Sequence, residues 1–587
     1  MLKTLSKSVR QYKKKAVVTP CIMVVEAAME ILIPFVMSLL LQVLQTAADT
    51  GTAVDVGKIL AYGGIMAAMA LVSITAGVLG GVLAAQASAG FAANLRGDMY
   101  AKIQTYSFAN IDKFSTSSLI TRLTTDITNV QNAFQMMMRM LVRAPVMFLF
   151  ATIMSFVVNA TVAWIFMAAA LAMSLVVVAI MFRAMPSFRK MFKKYDALNA
   201  VAQENLTGVR VVKSYVREEH EIEKYEKATA EVYEFSVKAE KWVTLLMPAV
   251  QAIMYVTMVL LFAVGGYQYF GGGMQIPDLT ALLTYAMQIL MGVMMFAMVL
   301  NFLAIAKPSA DRIAEVLEEE SSLTSPENAK TQIRDGSVDF EDVSFAYAEG
   351  GEKVLEHVSL HIPSGATVGV IGGTGSAKST LVSLIPRLYD ASEGCVKVGG
   401  EDVKAYNLAA LRDNVGMVLQ KNVLFSGSIA ENMRWGNENA TDEEIAQACR
   451  IAQESEFIER MPEKYGYDLG QGGVNVSGGQ KQRLCIARAL LKKPKILIFD
   501  DSTSAVDTRT DALIRAGLKD ALPDCTKIII AQRVASVQEA DEIFVLEDGK
   551  IVGAGRHEDL LSSCAVYREV YESQTKGKSE PQEGGDR

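Results

Sequence analysis

Long stretches of this sequence hold no charged residue: 59–95, 144–182, 243–277 and 279–306 have none, and 16–45 has only Glu26 and Glu30. A membrane helix needs about 20 mostly apolar residues. These regions, with an apolar fraction of 51%, exclude a wholly soluble chain. An excess of basic residues is also missing: 57 Lys and Arg stand against 64 Asp and Glu, and the net charge of −7 gives no argument for nucleic acid. The six cysteines, Cys21, Cys395, Cys449, Cys485, Cys525 and Cys564, lack the paired spacing of a metal site. Five of them lie in the part expected in a reducing cytoplasm, where free thiols are the expected state. No small-residue cleavage pattern follows the Lys-rich start, and the apolar run after it is too long for a signal peptide, so the first segment is expected to stay as a membrane anchor.

The five charge-poor regions are read as six spans, with 144–182 divided near Asn159; five spans is the alternative. Lys3, Lys7, Arg10 and Lys13 to Lys15 precede the first span, whereas loop 45–57 has no Lys or Arg, which places the N-terminus in the cytoplasm. An even number of spans then leaves the soluble C-terminal part there too. The outer connections, near 46–56, Asn159 and 271–277, are short. The inner ones, around 96–134 and 182–242, are long and helix-forming, with turn-like centres near 108–118 and 214–221 suited to transmitting motion.

The polar segment 318–337, with Pro and Gly, reads as a linker after a membrane domain of residues 1–317. From Val338 the rhythm becomes short β-rich runs, "VDFEDVSFAY", "TVGVIG", "KILIFD" and "TKIIIA", separated by helical segments. The expected fold class is therefore a membrane α-helical domain of six long helices followed by an α/β P-loop nucleotide-binding domain, residues 338–572. Residues 573–587 are polar and are expected to be a disordered tail.

The strand "TVGVIG" runs into "GGTGSAKST", close to the phosphate-loop pattern G-x-x-x-x-G-K-[ST]. In such a loop backbone N–H groups cradle phosphates, here along Gly372, Gly373, Thr374, Gly375, Ser376, Ala377, Lys378, Ser379 and Thr380. Lys378 would reach the β- and γ-phosphates, and Ser379 would bind Mg²⁺. Ala377 stands where the pattern has its last glycine, and its methyl group is expected to add bulk where the backbone approaches a phosphate. About 120 residues later "KILIFDD" supplies a buried strand ending in Asp500, the usual holder of Mg²⁺ in P-loop enzymes.

"VSGGQKQR", residues 476–483, resembles the signature motif of ATP-binding cassette (ABC) proteins, and six spans followed by one cassette is similar to the half-transporters of the ABC exporter family. The resemblance covers nearly the whole chain. It implies a multi-pass protein of the cell membrane, an ATP hydrolase coupled to transport, ATP and Mg²⁺ as cofactors, and a second half-transporter as partner. Each ATP would lie between one subunit's phosphate loop and the other's signature motif, here Ser477, Gly478, Gly479 and Gln480. The same resemblance implies that Tyr347 stacks on adenine, that Gln420 senses Mg²⁺ and contacts the membrane domain, and that Asp507 in "SAVD" belongs to the loop joining the two sites.

Active members of the family have a glutamate after the metal-binding aspartate and a histidine in the next strand's "AHR"; this chain has Asp501 and Gln532. Aspartate is one methylene shorter, and misplacing a catalytic group by about 1 Å lowers a rate about 10²-fold. Glutamine donates a hydrogen bond but carries no proton as histidine does. Ala377, Asp501 and Gln532 thus point to a degenerate site, in a heterodimer whose other site is completed by this chain's intact signature.

Glu26 and Glu30, at i and i+4, share one face of the first span. They are candidates to contact a cationic substrate; pairing with Arg143, or lining a wet cavity, is the alternative. Methionine clusters at 136–140 and 291–298 suit varied apolar ligands or plain core filling. The expected cargo is a hydrophobic or amphipathic, drug-like small molecule. Lipid export, peptide export and a nucleotide-gated regulator without net pumping stand as alternatives.

Overall fold

The computed structural model describes residues 2–348, 350–501 and 506–576. It divides into two compact units, one of Met1–Gln104 with Thr116–Glu319, the other of Thr105–Ser115 with Glu320–Arg587. The inner connection at 105–115 therefore groups with the C-terminal part of the chain, not with the spans it joins.

Among the described residues, six helices of the first unit are long and apolar enough to cross a membrane: Lys3–Thr50, Val56–Gln104, Thr116–Val158, Ala160–Thr207, Glu218–Phe270 and Ile276–Glu318. The break that makes six spans from five apolar regions lies at Asn159. Its backbone turns extended (φ −158°, ψ 110°) and its side-chain oxygen accepts from the Val162 N–H at 3.2 Å, capping the fourth span. The inner connections are long because the helices continue past the apolar windows, as in Ala160–Thr207, which reaches Gly208 before it stops.

Several charged groups inside this unit are paired, as expected where an unpaired charge in hydrocarbon costs several kcal/mol. The Arg143 guanidinium of the third span donates to Glu26 Oε1 at 2.9 Å and to both carboxylate oxygens of Glu30 at 2.8 Å. The two carboxylates of the first span are thus drawn onto one cation. Gln288 and the buried Tyr285 of the sixth span donate to the backbone oxygens of Glu30 and Ile31, at 3.2 and 3.1 Å. Further along, the third span carries π-helical turns at Arg122–Asp126 and Met137–Leu141. Buried Arg122 and Asp126 of the first turn pair with Glu315 and Arg312 of the sixth span.

The second unit holds two sheets. The smaller, in the order β2-β1-β4-β5, is antiparallel and comprises β1 (Val338–Phe345), β2 (Leu355–Ile362), β4 (Glu393–Val398) and β5 (Glu401–Asp402). The larger, in the order β10-β9-β3-β8-β7-β6, comprises β3 (Thr367–Gly372), β6 (Val415–Val418), β7 (Ile496–Asp500), β8 (Thr526–Ile530), β9 (Glu542–Glu547) and β10 (Lys550–Gly555). Its strands are parallel except for β10. Every residue of β7 and β8 is buried, which is why Ile496–Phe499 and Ile528–Ile530 are continuous apolar runs rather than alternating ones. The helix Ala565–Lys576 closes the unit and extends through residues 573–576, which the sequence assigned to a disordered tail; its Val566, Tyr567, Val570 and Tyr571 face the apolar core. The rest of that stretch, 577–587, lies outside the described residues.

If Arg143 holds Glu26 and Glu30, Arg143→Leu will lower stability by about 3 kcal/mol, because two carboxylates lose their partner. The triple change Arg143→Leu, Glu26→Gln, Glu30→Gln will recover most of it. Thermal unfolding of the purified protein in detergent checks both; a single variant that melts like the wild type would contradict the pairing.

Candidate nucleotide site

Four neighbouring strands of the larger sheet, β3, β8, β7 and β6, run parallel and end at the same edge. Open α/β sheets bind ligands outside the carboxyl ends of their strands. Here β3 leads into the phosphate loop, β7 into Asp500 and Asp501, β8 into Gln532 and β6 into Gln420. Residues that lie up to 160 positions apart in the chain are thus delivered together.

The loop needs its glycines for different reasons. A side chain at Gly372 would have its Cβ 2.1 Å from the Leu546 carbonyl oxygen, so only glycine fits. Gly375 has φ +86°, a left-handed conformation. Gly373, Thr374 and Gly375 are exposed, and Ser376 and Thr380 turn inward. Ala377 is left-handed too, at φ 72°, and caps the helix Lys378–Ser383. Its methyl group packs against the apolar core under the loop. Alanine here therefore carries a cost in backbone strain.

Lys378 folds over the loop: its ammonium donates to the Gly372 and Gly373 carbonyls at 2.9 and 2.7 Å and to Ser376 Oγ at 3.2 Å. Burial lowers its pKa, opposed by the nearby Asp501 and Asp500. The Ser379 hydroxyl donates to Asp500 Oδ1 at 2.8 Å, and Asp500 is 5% exposed. Burial raises the Asp500 pKa; the bond from Ser379 counters this, and the Asp501 charge adds to it. A hydroxyl beside a buried carboxylate is the hard-oxygen donor set that Mg²⁺ takes, so Ser379 and Asp500 fit the ion. When bound, Mg²⁺ would neutralise phosphate charge.

Asp501 adopts a left-handed backbone, φ 47°, and its N–H donates to the Ile530 carbonyl at 3.1 Å. Its Oδ2 accepts from Gln532 Nε2 at 2.8 Å and from Gln420 Nε2 at 3.5 Å. Two of the three residues that depart from the family pattern thus touch each other. Tyr347 is 53% exposed, and its hydroxyl shares a 2.8 Å hydrogen bond with Thr380 Oγ1. Tyr389 meets it edge-on, with ring centroids 5.3 Å apart. Tyr389 in turn donates to Asp112 Oδ2 at 2.6 Å and lies against Phe108, both on the short helix Phe108–Phe114.

The signature motif opens the helix Gly478–Leu491. Ser477 and Gln480 form a reciprocal cap: the Ser477 N–H donates to Gln480 Oε1 at 2.7 Å, and the Gln480 N–H to Ser477 Oγ at 3.4 Å. Gly478 has open space where a side chain would begin. Beneath this helix, Arg483 pairs with the fully buried Glu454, whose pKa burial raises to about 7 against the pull of that arginine. Asp507 caps the helix Thr508–Ala521 by accepting from the Thr510 N–H at 3.0 Å; Ser504 and Ala505 of the same motif lie outside the described residues.

Two family models match this chain, the ABC transporter transmembrane region over residues 18–294 and the ABC transporter model over residues 355–504. The uncharacterized ABC transporter ATP-binding protein YfiB of Bacillus subtilis is 36% identical over 568 residues, 96% of this chain and 97% of that protein. The chain belongs to the ABC transporter family. A Mycobacterium bovis relative named fatty acid ABC transporter ATP-binding/permease protein is 33% identical over 476 residues, 81% of this chain and 75% of that one. In fold, the ABC transporter is similar to a solved bacterial Atm1-family ABC exporter with ATP bound, at a TM-score of 0.81 and 24% identity over 97% and 99% of the two chains. One membrane part and one cassette in a single chain make this a half-transporter of exporter fold, a multi-pass membrane protein with a cytoplasmic ATP-binding domain.

The structure brings together the phosphate loop, Gln420, Asp500, Asp501 and Gln532 of this ABC transporter. It does not leave Glu26 and Glu30 as an open acidic face, since Arg143 takes both. Sequence reasoning missed Tyr389, Glu454 and Gln574. For Gln574 a signal existed: apolar residues at three-to-four spacing across 566–571 mark a docked helix rather than a tail.

Ala377→Gly will stabilise the cassette by about 0.5–1 kcal/mol, the relieved left-handed strain outweighing glycine's added freedom in the unfolded chain. A scanning-calorimetry transition that stays put or falls would show that Ala377 bears no strain.

Proposed function

We propose that this chain is one half of a heterodimeric exporter, whose own phosphate loop holds ATP durably while its signature motif completes a partner's hydrolytic site. The observation that carries this reading is the bond from Gln532 Nε2 to Asp501 Oδ2, at 2.8 Å. The carboxylate that would serve the attacking water is the shorter one, and an amide that neither takes up nor releases a proton donates to one of its oxygens. The binding parts, Lys378, Ser379, Asp500 and the exposed Tyr347, are retained. Losses gathered at the cleavage end, with Ala377 the one change in the phosphate loop, beside an unaltered Ser477–Gln480 cap, fit a division of labour between two unlike chains.

The cargo is proposed to be a hydrophobic or amphipathic small molecule moved out of the cytoplasm by alternating access. The relative named for fatty acid transport supports an amphipath, and the neutralisation of Glu26 and Glu30 by Arg143 removes the main argument for a cation.

The chain purified alone will show little ATPase activity, and co-purification with a complementary ABC half that has the glutamate and histidine will raise turnover strongly. Brisk hydrolysis by the lone chain would refute the heterodimer. Asp501→Glu alone will restore less than a tenth of a competent site's rate, since misplacement and the missing proton carrier each account for about 10²-fold. Full recovery from that one change would count against the shared-defect account.

A further inference from the structure

The segment that carries Gln532 is gripped from outside the site. After β8 the last ladder bond runs from the Ala531 N–H to the Val370 carbonyl, and at Val534 a 3-10 turn, Val534–Ser536, begins. Between them the Gln532 carbonyl and the Val534 N–H would have to seek water. One side chain satisfies both: Gln574 Nε2 donates to the Gln532 carbonyl at 2.8 Å, and Gln574 Oε1 accepts from the Val534 N–H at 2.9 Å. The helix that presents it, Ala565–Lys576, is fixed independently. Tyr567 is fully buried and shares a 2.7 Å hydrogen bond with His557 Nδ1, and Val570 and Tyr571 pack on the same core as Val534 and Val537.

We propose that Gln574 is a positioning residue of the nucleotide site, acting through the backbone of residues 532–534 to hold the Gln532 amide on Asp501. This rests on the reading of Gln532 and Asp501 as the γ-phosphate end of the site. With the clamp in place, the Gln532 side chain leaves a backbone that cannot rotate, so its bond to Asp501 is set before nucleotide arrives. Without it, two backbone groups turn to solvent and the amide loses its fixed origin. The C-terminal helix thereby governs how long ATP is retained.

The test uses the full-length chain co-purified with its complementary ABC half in lipid nanodiscs, loaded with labelled ATP and Mg²⁺ and chased with unlabelled ATP, the slowly exchanging label reporting this chain's site. Gln574→Leu, which keeps size but removes two hydrogen bonds, will speed ATP release about tenfold. Gln574→Glu keeps the acceptor and loses the donor, and will fall between, serving as the readout if the leucine variant does not fold. In a Gln532→Ala background neither change will speed release further, because the route through Gln532 is already cut. Tyr567→Phe will lower the melting temperature and leave release unchanged.

Unaltered release in Gln574→Leu, the same acceleration in the Gln532→Ala background, or an equal effect from Tyr567→Phe would each overturn the proposal in favour of ordinary helix docking. A wild-type complex that retains no slowly exchanging ATP would remove the underlying site reading and this inference with it. A wild-type complex that holds ATP while the Gln574 variants match it removes the inference alone.

Discussion

The parallel run of β3, β8, β7 and β6 is the constraint on which the ATP chemistry of this chain depends. Strands in parallel register bring their carboxyl ends to one edge, and each turn leaving that edge places a polar residue without help from its neighbours in sequence. Asp500 pairs in register with Ile530 across β7 and β8, which fixes how far Asp501 stands from the residues that follow β8. A slip of one residue would exchange the faces of a strand and carry Asp500 away from Ser379. The continuous burial of β7 and β8 makes such a slip costly, since apolar residues crowd both faces of those strands.

Much of this was legible in the sequence because it rests on local pattern. Unbroken apolar runs such as "KILIFD" announce strands buried on both faces, and "GGTGSAKST" announces a loop that must approach a phosphate. Asn159 marked the division of one apolar region because a lone capping residue between two charge-free stretches has few other uses. What escaped depends on contacts between segments distant in the chain. Nothing near Gln574 reveals that its amide faces the backbone of residues 532–534. Nothing near Ala377 says whether its methyl points at a phosphate or into the core. Arg143 was visible as a possible partner of Glu26 and Glu30, but composition alone could not decide between an ion pair and an open binding face.

The pattern of retained and altered residues separates two tasks that a nucleotide site performs. Holding ATP draws on interactions equally good before and during cleavage: loop N–H groups, the Lys378 charge, and the oxygens of Ser379 and Asp500. Cleaving it draws on interactions that strengthen only in the transition state. On the proposed reading Asp501 and Gln532 fall on the second side, while Ala377 is a change on the first. Their mutual bond is complete in the chain as it stands, which on the proposed reading commits the carboxylate to a neutral donor rather than to orienting water. Glutamine in place of histidine preserves the hydrogen bond while giving up the proton, and aspartate preserves the charge while giving up the reach. A site altered at random would lose binding parts as readily as cleavage parts. On the proposed reading, keeping most of the first while changing the second is the outcome expected where ATP is held rather than cleaved, and the two hydrogen bonds of Gln574 to the backbone of residues 532–534 lie on that same side of the division.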